Sequence, residues 1–188
     1  MSIDLNVKMR RPVEVDPLLP QISTFLRVIL GQANIPNIIA VTYDYDNEVF
    51  VPIKSRVIDL SSGEILFKID IDDGPEIAGV GVVRIEDPQL SNEEQGLFAY
   101  VSSSSQRTPL EFALIAAVAA AISASLDSPV IDDMPFFTTT QSQSANQFVN
   151  AIKAKVSFGN YKLAAQFFYD SLSLLRKNSV GTTDSLGL

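Results

Sequence analysis

Two groups of carboxylates are the residues of this sequence whose type and spacing could most readily do chemistry. Each group belongs to a segment with β-strand character, in which alternate side chains share a face. The groups are Asp44, Asp46 and Glu48, and Asp70, Asp72 and Asp73. Carboxylates bind Mg²⁺ and Ca²⁺, but with Gly74 at the sixth position of a calcium loop, Ile69 and Ile71 would occupy the first and third. We therefore predict no metal site, and interpret these acids as solvated strand ends or as a surface for a basic protein.

A second candidate is the segment SSSSQR at 102–107, which precedes an alanine-rich stretch. Backbone N–H groups and the dipole at a helix N-terminus favour negative charge, so Ser105, Gln106 and Arg107 could hold an anion such as phosphate. The segment lacks glycine, however, and the P-loop pattern GxxxxGK[ST] occurs nowhere in the chain. A small-ligand or phosphate-binding domain, with or without enzymatic activity, therefore stays an alternative.

Catalytic motifs are missing from the sequence. There is no histidine and no cysteine, which excludes Ser-His-Asp, Cys-His and HExxH chemistry. Neither GxSxG nor SxxK occurs. The acids Asp132 and Asp133 are adjacent and would point in opposite directions from an extended segment, so we expect a loop with an Asx turn rather than a catalytic pair. We predict a protein that is not an enzyme and uses no cofactor.

Charge is distributed unevenly along the chain. The net charge is −8, and residues 42–94 carry thirteen Asp and Glu against four Lys and Arg. Residues 145–188 carry five basic residues against two acidic ones. A dense acidic segment repels phosphate backbones, so we predict no nucleic-acid partner. The same segment would suit a basic protein partner, although acidic surfaces also simply keep proteins in solution.

The first half of the chain has the pattern of an antiparallel sheet. Strands are predicted over 2–9, 38–46, 48–60, 64–72, 77–85 and 97–103. Turn-forming residues separate several of these segments, so we expect consecutive strands to pair. Pro52 cannot donate a backbone hydrogen bond, which places its strand at an edge or a bulge. A structural subunit that self-associates through this edge is a second alternative function.

The second half is predicted to be helical, after one earlier helix over 17–30 that Gly31 ends. Thr108 and Glu111 form a capping box before an alanine-rich helix that is apolar on all sides and therefore buried. Its uncharged run of 15 residues spans about 22 Å, which is too short for a bilayer, and we predict no membrane span. Further helices are expected over 144–156 and 160–177, separated from the first by the polar linker 138–144. Phe167, Phe168 and Leu175 of the last helix would pack on the alanines.

The predicted fold class is α+β, with an antiparallel sheet from the N-terminal half packed against the buried alanine-rich helix and the C-terminal helices. We predict one domain over 1–177 and a flexible tail over 178–188. The N-terminal residues lack the apolar core of a secretory signal, so we expect a cytoplasmic protein.

The stretch LSNEEQGLFAYVSSSSQRTPLEFALIAAVAAAIS, followed by SPVIDD, resembles bacterial immunity proteins. The resemblance covers about residues 90–133 and consists of a strand, serines, a capped alanine-rich helix and an acidic turn. It implies a non-catalytic inhibitor that neutralises a cognate toxin by stoichiometric binding. Together with the acidic segment, it makes a basic toxin domain the expected partner, bound through Asp44, Asp46, Glu48, Asp70, Asp72 and Asp73.

Overall fold

A computed structural model of the chain describes residues 4–180 except 32–33, 45, 62, 70–75, 87–88, 90, 92–94, 105–106, 134–135, 156 and 158, and describes 173–180 by their backbone alone. The strands are β1 (Asp4–Met9), β2 (Val13–Glu14), β3 (Ile38–Asp44), β4 (Val49–Pro52), β5 (Val57–Ile58), β6 (Ile65–Ile69), β7 (Ile77–Ile85), β8 (Gly96–Ser103), β9 (Val130–Ile131) and β10 (Ser142–Gln143). The helices are α1 (Val15–Leu30), α2 (Pro109–Leu126), α3 (Ala145–Ile152) and α4 (Tyr161–Val180).

The predicted α+β class is confirmed. The main sheet has eight strands in the order β10-β9-β1-β8-β7-β6-β3-β4, and every described pair in it is antiparallel. Neighbours along the chain pair at β3–β4, β6–β7 and β7–β8, as expected. The expected pairing of the segments 48–60 and 64–72 is wrong, because β3 pairs with both β4 and β6 and lies between them. β1, the first strand of the chain, lies between β8 and β9. The sheet also draws β9 and β10 from the second half of the chain.

The predicted strand over 48–60 is wrong as a single element. It divides into β4, at the edge of the main sheet, and β5, which pairs with β2 in a separate two-stranded sheet. Between them Ser55 has φ 52°, in the left-handed region that interrupts an extended strand. The predicted polar linker over 138–144 is likewise partly a strand, because β10 pairs with β9.

Local signals set the helix boundaries. α1 starts at Val15, two residues before the predicted start, and Gly31 ends it with φ 58° and an N–H bonded to carbonyls of the last turn. The Thr108–Glu111 capping box of α2 is confirmed. α4 reaches Val180, so it includes the first residues of the predicted tail; 181–188 lie outside the described residues.

Helix α2 is the centre of the molecule. It contacts α1, α3 and α4 on its outer side and strands β1, β7 and β8 on the other. Alanines along it, such as Ala113, Ala117 and Ala120, are fully buried and permit this close approach. By length and composition α2 is the one described helix that could cross a membrane, but 83% of it is buried inside the protein.

The last helix packs on α2 by a narrower face than predicted. Phe168 is fully buried against α2 and its neighbours, whereas Phe167 is 46% exposed. Adjacent residues on a helix point about 100° apart, so only one of the two can face the core. The Leu175 side chain lies outside the described part of the structure.

The segment between α2 and α3 completes the core with aromatic rings. Phe137 is fully buried, and its ring centroid lies 5.0 Å from that of Phe136, 6.0 Å from Phe148, 6.4 Å from Phe112 and 6.5 Å from Phe168. A segment without helical or strand periodicity therefore places a large ring where α2, α3 and α4 meet.

Candidate functional site

Among the described residues, the helices cover one face of the main sheet. Leu5, Val7, Val80 and Val101 point to that side and belong to the buried core together with the helices. The alternate residues of the same strands point to the other side, which we call the open face. They include Asn6 and Lys8 of β1, both only partly buried. The open face is therefore the face of the main sheet against which the described helices do not pack.

The β3–β4–β6 part of the open face is aromatic and aliphatic. The rings of Tyr43 and Phe50 meet edge to face with centroids 5.2 Å apart. The ammonium group of Lys68 lies 5.7 Å from the centroid of the Phe50 ring, in a cation–π contact. Register places Ile39 beside Lys68 and Leu66 beside Val41 on the same face. Phe50 remains 38% exposed, so this region presents apolar surface to solvent.

Glycines in β7 let side chains lie flat on the open face. A Cβ built on Gly81 would fall 2.2 Å from the far end of the Tyr100 ring, so the ring covers the glycine backbone. At Gly79 a Cβ would fall 2.5 Å from the Glu64 carboxylate and 3.1 Å from the Ser102 hydroxyl. The sequence pattern marked neither Glu64 nor Tyr100, because what positions them is the glycine on a neighbouring strand.

We expect Gly81→Ala to lower the free energy of unfolding by about 1 kcal/mol, because the new methyl group displaces the Tyr100 ring. In a Tyr100→Ala background the same substitution should be neutral or slightly stabilising, since alanine suits a strand better than glycine does. The parent, the two single variants and the double variant form a double-mutant cycle. Urea unfolding of these four proteins measures the coupling free energy between Gly81 and Tyr100. Equal effects in both backgrounds would show that the ring does not lie over Gly81.

The first acidic group forms the turn between β3 and β4. The Asp44 carboxylate accepts hydrogen bonds from the backbone N–H groups of Asp46 (3.0 Å) and Asn47 (3.3 Å) and from the Asn47 side-chain amide (2.8 Å). These bonds, the Asn47 side-chain bond above all, lower the pKa of Asp44 below its ordinary value. Asp46 and Glu48 are exposed, and Glu48 has φ 55°. Asp44 thus shapes the turn, and Asp46 and Glu48 present its charge.

The second acidic group, Asp70, Asp72 and Asp73, lies outside the described residues. Strand β6, which precedes this group, is described and ends at Ile69. Ile69 pairs with Ile38, the first residue of β3, whereas Asp44 is the last residue of β3. β3 has seven residues, so about 20 Å separates the two ends. The described structure therefore places the first acidic group alone, at the Asp44 end of β3.

The helix entrance carries an anion of its own. The fully buried carboxylate of Glu111 accepts hydrogen bonds from the backbone N–H groups of Ser104 and Thr108, the latter at 3.2 Å. The backbone N–H of Glu111 itself bonds the Thr108 hydroxyl. Arg107 is exposed with φ 52°; Ser105 and Gln106 lie outside the described residues. A phosphate here would compete with Glu111 for donors and meet its negative charge, which argues against the anion-site alternative.

Asp132 and Asp133 face in opposite directions, as their adjacency predicts. Asp132 is 2% exposed and accepts backbone hydrogen bonds from Phe136 (2.9 Å), Phe137 (2.7 Å) and Thr138 (3.2 Å). Burial is the main cause that raises the pKa of Asp132 above its ordinary value, against the effect of those bonds. Asp133 is exposed and accepts a bond from Asn6 Nδ2 at 2.8 Å. Asp132 therefore closes a loop, and the two carboxylates do not form a catalytic pair.

Strand β4 ends the sheet, as Pro52 predicts, and Pro52 also limits what can pair with it. The Ile53 N–H bonds the Ala40 carbonyl at 2.9 Å, so Phe50 and Pro52 are the β4 residues whose backbone points away from β3. Because proline has no N–H, Phe50 supplies the one outward donor of β4. This edge is a poor template for a further strand, which argues against self-association through it.

Metal binding finds no support in the described part of the chain, where no group of three or more Asp and Glu residues is arranged to hold an ion. The sequence matches no protein-family model, no curated protein and no solved structure.

Proposed function

We propose that this chain is a non-catalytic binding protein of the immunity type, which acts in the cytoplasm and neutralises a basic protein toxin by one-to-one binding through the β3–β4–β6 part of the open face. The observation that carries the proposal is the combination found there: exposed aromatic surface beside the acidic β3–β4 turn. The resemblance of residues 90–133 to immunity proteins supports a toxin as the partner.

The apolar part of this surface has the composition of an interface centre. Aromatic residues are enriched in the cores of protein interfaces, where they contribute most of the binding energy. Tyr43 and Phe50 are held rigid by their mutual contact, so little conformational freedom would be lost when a partner covers them. Leu66 and Ile39 extend the apolar surface across the sheet.

The charge around this centre supports a basic partner. Asp46, Glu48 and Glu64 are exposed near one end of β3 and β6. Lys68 has its ammonium group over Phe50. A nuclease toxin is basic because its own substrate is a polyanion, and an acidic surface would steer such a toxin into a complex and compete with that substrate.

The test uses the toxin domain encoded by the neighbouring reading frame. Co-expression with this chain should restore growth to cells that produce the domain, and calorimetry should show one-to-one binding. If growth stays inhibited and calorimetry shows no binding heat, the proposal is refuted for that partner.

Charge reversal locates the interface. The double variant Asp46→Lys/Glu48→Lys should slow association about tenfold at low salt, with the difference shrinking as salt rises, because steering is electrostatic. Stopped-flow association rates measure this. The single variant Asp46→Lys has a matched control in Asp170→Lys on α4, which makes the same charge change at an exposed acid far from the open face and should leave the rate within about twofold. An equal effect of both changes would mean that net charge, and not this surface, governs binding.

Phe50→Ala separates the apolar contribution from the charge. Truncation of a central interface aromatic typically accelerates dissociation, and we expect about a tenfold higher dissociation rate with little change in association. Unchanged kinetics for this variant would place the interface elsewhere on the protein.

A further inference from the structure

A lysine lies in the middle of the β3–β4–β6 part of the open face. Lys68 belongs to β6 and Phe50 to β4, and β3 lies between these two strands. The Lys68 ammonium group is 5.7 Å from the centroid of the Phe50 ring, so this contact crosses β3. Val41 of β3 points to the same face between Pro52 and Leu66 and is 1% exposed, so side chains of the neighbouring strands cover it. The cation therefore lies over the sheet and not beyond its edge.

This ammonium group has no counterion among the described residues. The Phe50 ring is the partner found for it there, and it takes part in no hydrogen bond or ion pair. Its cross-strand neighbours, Ile39 on β3 and Ile77 on β7, are apolar. A ring face attracts a cation but does not satisfy the three N–H donors of an ammonium group. In the free protein water can bond these donors, because Lys68 is only partly buried.

A partner that covers Phe50 also covers the ammonium group, because the two are in contact. Taking a charge out of water is unfavourable unless it gains a charge partner and hydrogen bonds in exchange. A cation of the partner at the same place would add repulsion between like charges. The surface therefore suits a basic protein only if that protein brings an acceptor to this point, and a carboxylate is the strongest acceptor for an ammonium group.

We infer that Lys68 selects the partner. The toxin presents an acidic side chain that pairs with the Lys68 ammonium group beside Phe50, while the acids of the β3–β4 turn attract its basic residues. This inference rests on the proposed function and adds one chemical feature to the partner, a carboxylate within a basic surface. Basic proteins without that carboxylate are attracted to the open face but not held there, because specificity comes from repulsion of wrong partners as well as attraction of the right one.

Lys68→Met tests this inference by the sign of its effect. Methionine keeps an unbranched chain on Phe50 and removes the charge. If the surface only attracted cations, the loss of a positive charge would tighten the binding of a basic toxin. We expect the opposite: the toxin domain encoded by the neighbouring reading frame should dissociate at least about thirtyfold faster, because its carboxylate loses its partner. Lys162→Met, at an exposed position of α4, is the matched control and should stay within about twofold.

A charge swap identifies the partner group. Each acidic residue of the toxin domain is replaced by lysine in turn, and each toxin variant is titrated against the parent and against Lys68→Glu. One toxin variant should bind Lys68→Glu at least about tenfold more tightly than it binds the parent, because the swap restores the ion pair with its charges reversed. The absence of any such toxin position would contradict a carboxylate partner for Lys68.

Poly-lysine tests the repulsion without the toxin, since it carries cations and no acidic side chains. Lys68→Met should bind it at least as tightly as the parent does, and weaker binding would mean that the substitution damages the surface and would overturn the assignment. Toxin binding by Lys68→Met that equals or exceeds that of the parent would overturn this inference and leave the proposed function standing. No toxin binding by the parent would refute the proposed function and this inference together.

Discussion

Phe137→Ala is expected to lower the free energy of unfolding by about 4 kcal/mol. The ring is fully buried and contacts the rings of Phe112, Phe136, Phe148 and Phe168, which come from α2, the 132–138 loop, α3 and α4. Its removal leaves a cavity where three helices meet, and neighbouring rings cannot collapse into it without losing their own contacts. Urea unfolding followed by circular dichroism measures the change.

Phe167→Ala is the matched control for this prediction. It removes the same ring from a position one residue before Phe168, but Phe167 is 46% exposed. We expect a loss below about 1 kcal/mol, because much of the ring is already in contact with water. Similar losses for the two variants would contradict the packing described for α4 and the aromatic cluster.

Asp132→Ala is expected to cost about 3 kcal/mol. The carboxylate accepts three backbone hydrogen bonds, from Phe136, Phe137 and Thr138, and alanine would leave these donors without a partner, two of them in buried residues. The same bonds hold the loop that carries Phe137, so the losses from Asp132→Ala and Phe137→Ala should be less than additive.

Asp133→Ala is the control for Asp132→Ala. Asp133 is exposed and has one described hydrogen bond, to Asn6, so we expect a change within about 0.5 kcal/mol. Asp132→Asn keeps an acceptor oxygen and should recover most of the stability that alanine loses. A large loss in Asp133→Ala would mean that charge at the loop, and not the buried hydrogen bonds, stabilises it.

The pH dependence of stability follows from the raised pKa of Asp132. Its ordinary pKa is 3.8, and burial raises the pKa in the folded protein, so folding favours the protonated carboxyl. The stability from this group is present below about 3.8 and is lost as the pH rises through the higher folded pKa. The free energy of unfolding of the parent minus that of Asp132→Asn should therefore fall as the pH rises through this range. A difference that rises with pH would contradict the sign.

Much of the secondary structure was predictable because its signals are local. The Thr108–Glu111 capping box, the stop at Gly31 and the alternation of apolar residues in β1 and β6 each depend on residues a few positions apart. The predicted edge position of Pro52 is confirmed for the same reason, since an absent N–H is a property of one residue. The strand break near Ser55 was missed because no residue type there forbids an extended backbone.

The candidate surfaces were less predictable. The exposed acids of the β3–β4 turn could be named from the sequence, but not the aromatic and aliphatic surface beside them, which forms only when β3 pairs with both β4 and β6. The contact of Lys8 with the Phe98 ring was missed, since the two residues come together only when β1 pairs with β8. No spacing in the sequence connects these two residues.

The sequence by itself determined the α+β class, the capped and buried alanine-rich helix, and the acidic character of the middle segment. These depend on composition and on contacts within one or two turns of chain. The tertiary structure alone decided the roles of individual side chains. Phe168 rather than Phe167 enters the core, and Asp132 holds a loop while Asp133 faces solvent. Glu111 supplies the carboxylate at the helix entrance. The reason is that burial and hydrogen bonding belong to pairs of residues far apart in the chain, and their free energies are decided only when strand order and helix packing bring those pairs together.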